Sequence, residues 1–113
     1  MKYSILVLVL VSFSCSKHVL QTKGMPLCIQ QKIETFKSEP KGNPPQAIIQ
    51  YTYHKKTVFY VPPQCCDQYS DLFDENCNLI GHPDGGITEG GDGNPANFFN
   101  DATDSITIWR DNR

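Results

Sequence analysis

No apolar run in this chain is long enough to cross a bilayer. The longest, Ile5-Leu6-Val7-Leu8-Val9-Leu10-Val11, holds seven residues, whereas a ~30 Å hydrocarbon layer needs about 20. The five cysteines include no Cys-x-x-Cys pair, the spacing that zinc sites and thiol oxidoreductases use. Gly85-Gly86 and Gly90-Gly91 precede no Gly-Lys-Ser/Thr sequence and sit in no strand–helix frame, so a phosphate-binding loop is absent. Lysine and arginine together number 10 and form no dense cluster, which argues against nucleic acid. The three histidines accompany no serine or cysteine nucleophile motif.

What is present begins at the amino end. Lys2 supplies a positive n-region, Ile5 to Val11 an apolar h-region, and Ser12-Phe13-Ser14 places small residues at −3 and −1 before Cys15. Residues 1–14 are therefore expected to be a removable signal and Cys15 the lipidated residue, with 15–24 a short polar tether. Cysteine parity supports this: acylation of Cys15 leaves Cys28, Cys65, Cys66 and Cys77, an even set for an oxidising compartment. Position +2 is Ser16, not Asp, so an inner-membrane retention signal is missing. The expected location is the outer membrane facing the periplasm, with plain secretion as the alternative.

Residues 25–113 are expected to form one small α+β domain. Ile29, Ile33 and Phe36 recur at helical spacing behind Pro26, and Glu39-Pro40 ends the pattern, giving one amphipathic helix. Ala47–Tyr53 and 57–61 alternate as a hairpin about His54-Lys55-Lys56, and Pro62-Pro63 stops it. Residues 68–73 and 78–80 flank a polar turn as a second hairpin. A Gly-rich loop covers 82–97. Ser105 to Arg110 forms a last strand, with Ile106 and Ile108 on one side and Thr107 and Trp109 on the other. The helix then packs on an antiparallel sheet of four to five strands.

Adjacent cysteines pair only through a strained ring. Two connectivities follow: Cys28–Cys65 with Cys66–Cys77, or Cys28–Cys66 with Cys65–Cys77. Each bridge adds about 2–4 kcal/mol. Zinc on Cys65, Cys66, Cys77 and His82 is the weaker reading. Charge is split along the chain. Seven lysines face Glu34 and Glu39 from residue 15 to 57, a local +5, and two arginines face ten acidic residues from 58 to 113, a local −8. His82, Asp84, Glu89, Asp92 and Asn94 form the candidate binding loop. Its Asp92-Gly93-Asn94 has oxygen donors but not the spacing of a calcium loop.

The runs Tyr60-Val61-Pro62-Pro63-Gln64-Cys65-Cys66-Asp67-Gln68-Tyr69 and Leu72-Phe73-Asp74-Glu75-Asn76-Cys77-Asn78-Leu79-Ile80 resemble a known family. So do His82-Pro83-Asp84-Gly85-Gly86-Ile87-Thr88 and Gly91-Asp92-Gly93. It is a family of small lipoproteins of unknown function found mostly in Bacteroidetes-type bacteria. The likeness extends to the Cys28-Ile29-Gln30-Gln31-Lys32-Ile33 helix and the Ile108-Trp109-Arg110-Asp111 ending. The resemblance implies location and architecture, and no activity. Members often carry further cysteines near the positions of Gly81 and Pro95, and their joint absence here implies one bridge fewer.

The function expected from all this is a non-catalytic binding module on a lipid anchor, monomeric, without cofactor or metal. Its partners would be the membrane and an envelope protein or glycan. An inhibitor of a periplasmic or extracellular enzyme is the alternative, and a small hydrolase using His82, Asp84 or Asp92 comes third.

Overall fold

Pro26 and Pro40 bracket the first element. The structure, a computed structural model, describes residues 24–65 and 67–113; the signal at 1–14, Cys15, the tether as far as residue 23, and Cys66 lie outside them. Helix α1 (Leu27–Ser38) starts behind Pro26, whose carbonyl accepts from the Ile29 and Gln30 N–H groups at 3.0 and 3.1 Å. Glu39 turns extended because the following Pro40 disfavours helical angles. Four strands follow, β1 (Ala47–Tyr53), β2 (Lys56–Val61), β3 (Asp71–Asp74) and β4 (Leu79–Gly81). A one-turn helix α2 (Phe98–Asp101) then leads into β5 (Thr103–Arg110). The sheet has five strands in the order β4-β3-β2-β1-β5, each pair antiparallel.

Both faces of this sheet are covered, which the burial of β2 makes plain. Val58, Phe59, Tyr60 and Val61 are all buried, whereas a strand covered on one side would alternate. Phe59, Val61 and Ile48 meet Ile29, Ile33 and Phe36 of α1. On the opposite face Val58, Tyr60 and Leu72 meet Phe98 of α2, with Ile49, Tyr51 and Tyr53 packed alongside. The second layer was not foreseen. A four-residue helix has no periodicity to show, yet it carries Phe98, one of the largest fully buried side chains.

The first hairpin closes on His54 and Lys55, both at positive φ, so Lys56 already pairs with Tyr53 and the strand starts one residue early. In the second hairpin, Asp74 accepts the Asn76 and Asn78 N–H groups on one oxygen at 2.9 Å each. Bonds from the Asn78 amide and N–H hold the Asp74 carboxyl below its ordinary value. The turn they shape puts Cys77 at φ 65°, the left-handed position that glycine usually takes in such a turn.

That placement settles a pairing. Cys77 bonds Cys28, with a Cα separation of 5.7 Å, and the Cys28 N–H points at the Cys77 sulfur at 3.2 Å. Neither connectivity expected from the sequence survives: both kept Cys28 for Cys65 or Cys66. The left-handed turn aims Cys77 back at α1 instead. Cys65 is itself disulfide-bonded.

Strand β5 also departs from expectation. Ile48 pairs with Trp109 but Ile49 with Thr107, so Ile108 is an extra residue, and a second irregularity lies between Thr103 and Ile106. Bulges break the two-residue alternation. Ile108 and Trp109 therefore both pack against the α1 cluster, while Ile106 is left 54% exposed. Beyond β5, the Arg113 guanidinium pairs with buried Asp111 at 2.6 Å and donates to the Phe36, Lys37 and Glu39 carbonyls. A cation thus closes the carbonyl end of α1, where the helix dipole favours it. Hydrogen bonds from Arg113 pull the Asp111 carboxyl down to about 2.

Candidate functional site

The candidate loop runs from β4 to α2; His82 and Asp84 are half-buried, while Glu89, Asp92 and Asn94 are exposed. Asp84 receives the Tyr60 hydroxyl on both carboxylate oxygens at 2.9 Å. Its main chain exchanges bonds with the fully buried Ser70: Ser70 N–H and Oγ donate to the Asp84 carbonyl, and Asp84 N–H donates to Ser70 Oγ. His82 Nδ1–H donates to the Ser70 carbonyl at 2.6 Å and lies 3.1 Å from Asp71 Oδ1. Both partners are acceptors, so the hydrogen is assigned to Nδ1. The other Asp71 oxygen takes the Lys32 ammonium at 3.3 Å. Asp92 accepts the His82 and Asn94 N–H groups on Oδ1, and its own N–H returns to the His82 carbonyl. Those donors, Asn94 first, hold its carboxyl below the ordinary value.

Tyr60 sits on the central strand, and burial, then the bond to Asp84 and its charge, push its hydroxyl pKa far up. Tyr51 is raised in the same direction by burial and by Asp84. The imidazole and Asp84 therefore serve the packing of the loop on the sheet, and Asp92 ties the loop to itself. His82 and Asp84 take different partners and do not bond each other. Glu89 and Asn94 point outward, with Glu89 at positive φ. Gly91 explains how close the segments lie: at φ +65°, any Cβ on it would overlap the His82 carbonyl.

At the tip of this pinned segment stands Ile87, 89% exposed. The Gly86 N–H donates to the Gln68 carbonyl at 2.9 Å just before it, and Glu89 N–H donates to the Gly86 carbonyl just after it. No group of three His, Cys, Asp or Glu among the described residues can hold a metal ion. The zinc set fails on its own terms, since Cys77 is tied to Cys28. No described helix is long and apolar enough to cross a membrane.

Sequence reasoning missed Tyr60, Ser70 and Tyr69 as loop supports. Tyr69 stacks on His82 with ring centroids 5.4 Å apart, and Gly86 approaches the same ring so closely that a Cβ there would collide with it. Only the glycine dipeptide hinted at such an approach.

Residues 34–111 match the family model described as Domain of unknown function (DUF6970). No curated protein matches the chain, and no solved structure does.

Proposed function

The chain belongs to the DUF6970 family of domains of unknown function, and from that premise we propose a non-catalytic binding module with the loop between β4 and α2 as its recognition edge. A lipid on Cys15 holds it to the cell envelope, on the periplasmic side of the outer membrane, and α1 is the first element after the tether. One observation carries the binding reading: Ile87 is exposed at the tip of a loop pinned on both sides. An aliphatic side chain held out by a rigid loop loses little freedom on docking. Exposed Glu89, two residues further on, suits a protein partner with an apolar pocket and a basic rim.

Two experiments test this. Labelled fatty acid tags the wild type and not Cys15→Ser; equal tagging of both ends the anchor. A photo-crosslinking residue at position 87 traps one defined envelope protein, whereas the same group at exposed position 35 does not. Untagged domain competes that adduct away and its Ile87→Asp variant fails to compete. Competition by Ile87→Asp equal to wild type refutes the recognition edge.

A further inference from the structure

A second recess, remote in chemistry from the Ile87 tip, lies between α1 and the chain that follows β2. It encloses about 390 Å³ and shares no residue with the loop from 82 to 97. That volume falls at the small end of ligand pockets, roughly 300–1,000 Å³. One side is apolar, built from Phe36, Val61 and the Pro62-Pro63 pair. The other side is polar and includes the charged Lys32, Glu39 and Asp71.

Gln64, Gln68 and Tyr69 bring two side-chain amides and a phenol hydroxyl to the rim. Among the described residues these atoms make no hydrogen bond, although Gln68 uses its main chain to hold Gly86. Among the described residues the one cation at the recess, Lys32, is already matched by Asp71 at 3.3 Å, and Glu39 adds a negative charge, so these residues offer phosphate and carboxylate ligands no free counter-ion. The Tyr69 ring is fixed by its stack on His82 and by Gly86, yet remains 51% exposed. Strands β2 and β3, which meet the recess, are paired on both sides, so an extended peptide finds no open edge there.

We propose that this recess binds a neutral saccharide. Sugar hydroxyls donate and accept, as do the Gln64 and Gln68 amides, while the C–H face of a pyranose lies against the fixed Tyr69 ring and the two prolines. The Tyr69 platform is in place before binding, which limits the ordering cost.

The lone tryptophan supplies the readout. Trp109 stacks on Phe36 at 5.9 Å, and Phe36 lines the recess. Cellobiose, maltose and diacetylchitobiose are titrated against Trp109 fluorescence and against backbone amide shifts of the wild type. The expected result is saturation by at least one of them, with the amide shifts centred on residues 64–69. Gln64→Leu with Gln68→Leu weakens it at least about tenfold, and Tyr69→Phe, which keeps the ring on His82, weakens it less. Ile87→Asp leaves it unchanged, so a failure here is separable from a failure of the recognition edge. No saturation below about 50 mM, shifts centred elsewhere, undiminished binding by the double variant, or tighter binding of glucuronate or a proline-rich peptide overturns the proposal.

Discussion

Removing the Cys28–Cys77 bridge is the perturbation whose cost the structure fixes most directly. The bond closes a loop of sequence separation 49, and loop-closure entropy for that length is worth about 4 kcal/mol at 25 °C. A domain of this size has roughly 5–15 kcal/mol in total, so the double variant Cys28→Ala with Cys77→Ala loses a large share of its stability. The melting temperature should fall by about 15–30 °C. Replacing both partners leaves no odd thiol to exchange with the disulfide at Cys65. Urea unfolding followed by Trp109 fluorescence gives the free energy, and a second probe such as far-ultraviolet dichroism checks two-state behaviour. A loss below about 1 kcal/mol would refute the reasoning: the reduced chain would then already hold α1 near the second hairpin, leaving the bond little to constrain.

Four other outcomes follow from the packing. Phe98→Ala should cost about 3–5 kcal/mol in the same urea experiment, since it empties the layer over Tyr51, Tyr53 and Tyr60. Gly91→Ala should free the loop without melting the sheet, seen as faster amide exchange at Asp92 and Gly91, because its Cβ displaces the His82 carbonyl. Asp111 has a carboxyl lowered from the usual 3.8 to about 2 by Arg113, so its contribution is complete above about pH 4 and lost as pH falls towards 2. Acid unfolding of Asp111→Asn should show a shallower slope across that window. Tyr60 has the opposite sign: its raised hydroxyl pKa stabilises the fold below 10.0, and that contribution is lost as pH climbs beyond it. Alkaline melts of Tyr60→Phe should show a weaker pH dependence.

The fold was legible where a local period ran undisturbed. Ile29, Ile33 and Phe36 mark the face of α1 that is buried, and the alternation of β1 located a strand whose ends match at Ala47 and Tyr53. It failed where one residue broke the period. In β5 the inserted Ile108 rotates everything on one side of it, and no residue type announces a bulge. Cysteine pairing failed for a related reason. Excluding a bond between adjacent Cys65 and Cys66 had removed Cys28–Cys77 from the candidate connectivities, while the deciding fact was the left-handed backbone at Cys77, a conformation that residue identity alone does not predict.

The loop shows why charge is a poor guide to chemistry in a small domain. His82, Asp84 and Asp92 were singled out as ionisable groups near glycines, and all three bear on the loop's geometry. The loop from 82 to 97 crosses a sheet face without a strand ladder of its own, and buried or half-buried main-chain groups must still find partners. Ser70, 14 residues from Asp84, and the Asp92 carboxylate supply them, while Tyr60, 24 residues away, holds the Asp84 carboxylate, so carboxylates and an imidazole take the place that ladder bonds hold elsewhere. The loop's outward side chains include Ile87, Thr88, Glu89, Asp92 and Asn94, and of these only Ile87 has no polar reason to be there. An exposed aliphatic residue on a turn pinned on both sides is the feature that a purely structural account of the loop does not require.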